Sequence, residues 1–340
     1  RQNKVNSDKM KATYREKYGM PDVLSVRDIQ VPEPGDNELL IRVEATTVNR
    51  TDCANLTGKP LIMHLVTGFL RPKRQIPGTD FAGTVIKTGK EVTTHSPGEK
   101  VWGFYDSGLS SQAEYFCLSQ EIPIGKMPES LTFTEAVACL EGSHYALNFL
   151  NKVTPQAGQK AMVNGGTGAI GSALIQLLAN RELEVWATCR KEHMEQVKKL
   201  GASHVIDYLE EDFIQLDKRF EYVFDAVGKS TYGKCRNILT PDGTYISSEL
   251  GPFAQNPMLA ITTSFGKGRK VKFPIPADLP ETLCTMKELC ENGHFHPLID
   301  RTIPLDKVTA AYNYVLSGNK IGNVVLQIGS KQPILRIYSD

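Results

Sequence analysis

No stretch of the 340 residues is apolar for long enough to cross a bilayer, and no basic leader runs into an apolar segment. The sequence therefore predicts no membrane partner, and the cytoplasm is the expected compartment; an organelle address removed upstream of Arg1 stays open. Excess charge of one sign is missing too, since 39 Lys and Arg against 38 Asp and Glu leave +1. That excludes the basic surface of a nucleic-acid binder. Cysteine is sparse and odd in number, seven residues spread from Cys53 to Cys290. Such spacing is no disulfide framework and points to a reducing compartment. Internal repeats and low-complexity tracts are absent. What is present, 41% hydrophobic and 23% charged residues, is enough for a large core divided between two domains.

The most informative segment is Ala161-Met-Val-Asn-Gly-Gly-Thr-Gly-Ala-Ile-Gly171, an apolar strand entering a Gly-x-Gly-x-x-Gly turn at Gly166, Gly168 and Gly171. In such a turn Gly166 permits the sharp bend and Gly168 lets a pyrophosphate approach the backbone. Gly171 seats the next helix on the sheet. The amides of that helix start, with Gly165, Thr167, Ala169 and Ile170, face the anion. Apolar residues at helical spacing follow (Ala173, Leu174, Leu177, Leu178), then a second strand, Glu184 to Cys189, completing a βαβ unit.

An NAD site carries an acidic residue about twenty positions on. Here the second strand ends in Thr188-Cys-Arg-Lys191. A carboxylate repels a 2′-phosphate, whereas Arg190 and Lys191 pair with one, so NADP(H) is the expected cofactor. Tyr208, closing the following strand, is a further candidate at the adenosine phosphate edge.

The region from Met10 to about Pro128 is β-rich and turn-rich, with short runs such as Glu38 to Glu44, Gly83 to Lys87, Lys100 to Phe104 and Ala113 to Leu118 between Pro and Gly punctuation. It reads as a compact all-β unit. From Thr134 helices alternate with buried strands at Ala161–Asn164, Glu184–Cys189, His204–Ile206, Tyr222–Asp225, Thr244–Ser247 and Lys270–Pro274. Those strands predict a doubly wound parallel α/β sheet. From Leu279 to Ile328 the order is helix, strand, helix, strand, a return to the first domain. Residues 1–9 are polar and read as a tag or processed leader outside the fold.

Several phrases carry a family resemblance: Tyr18-Gly-Met-Pro-Asp-Val-Leu24, Thr47-Val-Asn-Arg-Thr-Asp52, Ile76-Pro-Gly-Thr-Asp-Phe-Ala-Gly-Thr-Val85, Lys199-Leu-Gly-Ala-Ser-His-Val-Ile-Asp-Tyr208, Asp225-Ala-Val-Gly228 and Gly322-Asn-Val-Val-Leu326. With them the chain resembles the medium-chain dehydrogenase/reductase superfamily over nearly its whole length. The resemblance implies a GroES-like β-rich catalytic domain (residues 10–133 and 277–340) around a Rossmann dinucleotide-binding domain (134–276). It also implies a homodimer paired through the nucleotide domain's edge strand.

Zinc alcohol dehydrogenases of that superfamily have Cys where this chain has Asn49 and His where it has Thr79, and neither replacement is a zinc ligand. The cysteines of their structural zinc lobe are missing between Glu99 and Cys117. The remaining Cys290, His294 and His296 lie in the tail and read as ordinary side chains, so no metal is expected. The branch implied is the zinc-independent, quinone-oxidoreductase-like one. By resemblance Asn49 lies at the nicotinamide and substrate end, Thr51 offers a hydroxyl there and Asp52 holds the local turn. Arg50 approaches the pyrophosphate, and Ala226, Val227 and Gly228 lie over the adenosine and ribose. Leu250, Phe273 and Asn323 complete the cofactor contacts, Asn323 standing where many relatives have Lys.

The apolar stretch Lys59 to Gln75, with His64 and Phe69 as substrate candidates, and the 251–268 loop are the expected pocket walls. Glu141 and His144 are the acid and imidazole expected at the cleft floor. The leading expectation is an NADPH-dependent reductase of quinones or α,β-unsaturated carbonyls, which yield delocalised anions that a few donors stabilise. An NADP-dependent alcohol dehydrogenase and a nucleotide-binding sensor or structural protein with little turnover remain the alternatives.

Overall fold

The computed structural model describes residues 9–59, 68, 71–247, 249–274 and 278–329. His64, Phe69 and most of the expected Lys59–Gln75 wall lie outside the described residues. Two compact units divide the chain, one formed by residues up to Leu140 together with those from Ile299 onward, the other by Glu141–Leu298.

In the first unit β1 (Lys9–Tyr14) and β2 (Ser25–Gln30) form an antiparallel ribbon. Lys9, expected outside the fold, thus opens a strand opposite Gln30. Next come β3 (Glu38–Val48), β4 (Asp80–Thr88), β5 (Lys100–Phe104), β6 (Tyr115–Ser119) and β7 (Gly125–Lys126). The unit is not purely β. A helix, Arg50–Thr57, follows β3, and another, Phe133–Ala138, read from sequence as the start of the nucleotide domain, packs on β3 and β4.

The second unit holds β8 (Lys160–Asn164), β9 (Glu184–Cys189), β10 (His204–Asp207), β11 (Phe220–Asp225), β12 (Leu239–Ser247) and β13 (Lys270–Lys272). They build one parallel sheet in the order β10-β9-β8-β11-β12-β13. The order reverses between β8 and β11, which is where an open parallel sheet leaves a crevice beyond its carboxyl ends. Ala161, Met162 and Val163 are fully buried, as expected of a central strand covered on both faces. Residues 251–268, read as a loop, contain the helix Gln255–Ser264.

Back in the first unit, β14 (Ile299–Pro304) and β15 (Asn323–Gln327) complete a seven-stranded sheet ordered β14-β15-β3-β4-β5-β7, with β6 also on β3. The eleven residues of β3 serve two partners along one edge, β6 through Glu38–Arg42 and β15 through Ala45–Val48. On its other edge lies β4. The core beneath includes Phe81, whose ring meets Phe116 edge-on at a 5.0 Å centroid separation. Such a pair adds about 0.5–1.5 kcal/mol to its area burial.

Candidate functional site

In the second unit the glycine turn follows β8 directly. Gly165, at φ +91°, takes the left-handed bend that the sequence reading gave to Gly166. Two backbone amides hold the turn to the next strand: Gly165 N donates to Thr188 Oγ1 at 2.9 Å and Gly166 N to Thr188 O at 2.8 Å. A Cβ on Gly171 would stand 2.0 Å from Gly165 O, so the turn closes only around glycine there. Gly168 differs. A Cβ on it would meet nothing nearer than Gly165 O at 3.5 Å, so the protein itself leaves that face open. Gly168 is also the N-cap of the helix Ala169–Ala179 and supplies no side-chain acceptor. The first amides of that helix are left for an external anion. A pyrophosphate fits this cradle.

The turn is braced by a buried polar chain that the sequence reading missed. Thr188 Oγ1 donates to Asn164 Oδ1 (2.8 Å) and Asn164 Nδ2 to Asp225 Oδ1 (3.0 Å). Asp225, fully buried at the end of β11, also accepts from Gly228 N, Ser230 N and Tyr245 OH. One carboxylate thus fixes the ends of β8 and β11 on both sides of the crevice. A polar residue closing an apolar strand, in Asp225-Ala-Val-Gly228, was the available signal. Val227 packs its side chain over Gly165, where a Cβ would approach Val227 Cγ1 to 2.3 Å, so its part is to hold the loop.

At the end of β9, Arg190 Nε donates to Tyr208 OH at 3.0 Å, which brings together two of the residues expected at the adenosine phosphate. Tyr208 stands just beyond β10, which ends at Asp207. Arg190 and Lys191 each have a carboxylate near, Glu192 at 4.0 Å and Glu210 at 3.8 Å, both on the exposed surface. Leu250 is exposed, and Phe273 follows β13 as a half-buried residue. His144 is buried, its Nδ1 at 2.9 Å from Thr282 Oγ1 and its Nε2 at 3.3 Å from Asn148 Nδ2. Desolvation lowers its pKa to about 4. It ties the helix Glu141–Leu150 to Leu279–Glu291 as a neutral ring. Glu141 is buried beside it.

In the first unit the second set of residues gathers where β3 ends. Asn49 is the N-cap of Arg50–Thr57 and forms a reciprocal capping box: its Oδ1 accepts from Asp52 N (2.8 Å) and its own N donates to Asp52 Oδ2 (3.2 Å). Gly58 closes the helix in the left-handed conformation, φ +65°. Asn49 Nδ2 donates to Thr79 Oγ1 at 2.9 Å and to Thr47 Oγ1 at 3.3 Å. Behind them lies Asp80, fully buried, accepting from Thr47 N at 2.7 Å and from the hydroxyls of Thr46 and Thr47. Burial pushes its carboxyl above the usual range, against the hydrogen bonds from Thr47, Thr46 and Asn49. Asp80 therefore orients Thr47, and Thr47 with Thr79 orients the Asn49 amide. This support was not legible beyond the Gly78-Thr-Asp80 phrase. Asn323 begins β15 one residue before Val324, which pairs with Val48, so it stands beside Asn49 at the same end of the sheet. Arg50 is exposed and Thr51 half-buried on the first turn of the helix.

Two families match the chain. Residues 35–140 match the alcohol dehydrogenase GroES-like domain, and residues 200–326 match a family described as zinc-binding dehydrogenase. The 2-methylene-furan-3-one reductase of Solanum lycopersicum is 29% identical over 329 residues, covering 93% of this chain and 79% of that protein. The chloroplastic NADPH-dependent alkenal/one oxidoreductase of Arabidopsis thaliana is 27% identical, with the same coverage of 93% and 79%. Among solved structures, the quinone oxidoreductase from Coxiella burnetii superposes with a TM-score of 0.82 at 26% identity, covering 94% of this chain and all of that one. The zinc that one family description implies does not fit the donors at Asn49 and Thr79. An amide and a hydroxyl bonded to each other offer neither thiolate nor imidazole. Among the described residues no group of three or more His, Cys, Asp and Glu side chains is placed to hold a metal ion. With its GroES-like unit, its six-stranded parallel sheet and these relatives, the chain belongs to the medium-chain dehydrogenase/reductase superfamily, in its quinone-oxidoreductase-like branch.

Proposed function

We propose that the protein is an NADPH-dependent, zinc-independent reductase of quinones or α,β-unsaturated carbonyls. The observation that carries this is the glycine cradle: Gly168 has open space where its neighbours are tightly packed, the arrangement a bound pyrophosphate needs. NADPH, when bound, supplies the hydride. Arg190, its guanidinium held by Tyr208, and Lys191 select the 2′-phosphate by charge-assisted hydrogen bonds. On the acceptor side, the Asn49 amide is held in one orientation by Thr79, Thr47 and Asp52, and Thr51 Oγ1 is the donor to the oxygen on which negative charge develops. Quinones and enones suit such a site because the product anion is delocalised and a few neutral donors suffice.

The compartment reading rests on the cysteines, whose odd number and wide spacing form no disulfide framework. No described helix is long and apolar enough to cross a membrane. We further propose a homodimer, supported by the edge strand β13 and by the exposed Phe253, Met258, Ile261 and Phe265 on and around the helix Gln255–Ser264.

Loss of NADPH absorbance tests the reading, with ortho-quinones, enals and simple ketones as acceptors, each repeated with NADH. Turnover of quinones or enals with NADPH preferred, and that preference reduced at least tenfold in Arg190→Ser, is the expected result. Silence on every acceptor despite tight NADPH binding would overturn it.

A further inference from the structure

A cavity of about 170 Å³ lies in the first unit, lined by Arg15, Asp52, Asn55, Lys73, Arg74 and Ser107 among others. It is far larger than the ~10–15 Å³ that a single water centre needs. Its lining carries three cationic side chains against one carboxylate. Arg15 is 4% exposed and is fixed from two directions, its backbone N donating to Gln75 O at 2.9 Å and its Nη1 to Asn55 O. Its Nε has no hydrogen-bond partner among the described residues. A buried guanidinium with an unused donor is costly unless an anion or a dipole meets it. Burial lowers the Arg15 pKa, against the favourable electrostatics of Tyr312, Tyr18 and Asp52, whose Oδ2 is engaged in the helix cap.

Opposite this surplus of donors, Asn55 Oδ1 is an acceptor, buried and likewise without a hydrogen-bond partner. A carboxylate has nothing to donate to it. A hydrogenphosphate group has both kinds of atom, unprotonated oxygens for the guanidinium and a P–OH for the amide oxygen. Lys73 and Arg74 are exposed at the rim, where they attract an entering anion. Gly108 leaves room for Arg74: a Cβ on it would stand 3.2 Å from Arg74 Cδ.

We propose that this cavity binds a phosphate group, held by Arg15 and Asn55 and drawn in by Lys73 and Arg74. The residues that line the cavity belong to the first unit, those of the glycine cradle to the second. Calorimetric titration of the full chain with inorganic phosphate, phenyl phosphate and acetate tests it, alongside the double variant Lys73→Gln/Arg74→Gln. Both substituted residues are exposed, so the variant folds. The expected result is saturable phosphate binding that weakens tenfold or more in the double variant, with acetate weaker throughout. Tighter binding of phenyl phosphate than of inorganic phosphate would mark the occupant as the phosphate ester of a larger ligand, and the reverse as the free ion. Equal phosphate affinity in wild type and variant, or none in either, would overturn the proposal. The first of those outcomes would assign the phosphate to the nucleotide cradle, which the variant leaves intact.

Discussion

Gly168 and Gly171 stand three residues apart in one turn, and the space around them separates two reasons for a glycine. At 171 the reason is the chain's own backbone, 2.0 Å from any added Cβ; at 168 nothing in the chain crowds a Cβ, and the reason is the proposed pyrophosphate. Gly171→Ala is therefore expected to cost about 2–4 kcal/mol of stability as the turn is forced apart. Gly168→Ala should stay within about 1 kcal/mol of wild type, since its φ of −69° suits alanine. Both should bind NADPH at least tenfold more weakly. Chemical denaturation with fluorescence titration checks this, and a Gly168→Ala protein with unchanged affinity would sink the cradle reading. His144 supplies a second prediction. Its folded pKa of about 4 lies below the ordinary 6.5, so the unfolded chain takes up the proton first. The stability associated with a neutral ring is complete above pH 6.5 and declines as pH falls towards 4. Between pH 7 and 4.5 the loss is on the order of 2–3 kcal/mol. Denaturant titrations at the two pH values should show wild type losing that much more than His144→Gln; parallel losses would remove the assignment.

A helix of eight residues such as Arg50–Thr57 is too short to persist on its own. Its caps decide whether Asn49 and Thr51 hold their places. Asn49→Ala removes the acceptor for Asp52 N, which costs about 1 kcal/mol, plus the donor to Thr79. Amide exchange across Asp52–Gly58 should accelerate while β3 and β4 keep their protection. Uniform acceleration would mean the residue serves the whole unit. Elements such as β9 and β5 were legible to the residue, because short runs carrying Val and Trp between turn signals favour a strand. The helix Gln255–Ser264 was not. It exposes Met258 and Ile261, so its apolar residues follow no buried stripe. The Asn164, Thr188 and Asp225 chain was illegible for another reason: it joins three strands, and their register is set by sheet order, not by spacing within a segment.

For the molecule as a whole, the exposed apolar side chains around Gln255–Ser264 beside the edge strand β13 make an association prediction. Sedimentation velocity should report a two-protomer species, shifted towards monomer by Ile261→Glu or Phe265→Glu. A wild-type monomer at micromolar concentration would discard the homodimer. The β15 strand joining β3 has a different consequence, one that concerns synthesis on the ribosome. The Glu141–Leu298 unit is continuous and can fold as soon as it emerges. The first unit cannot, because the edge of β3 from Ala45 to Val48 waits for Val324 to Gln327, hundreds of residues later. For most of translation that edge lies open, next to Asn49 and the helix it caps, so nascent chains stalled before β15 should be the form that chaperones hold longest.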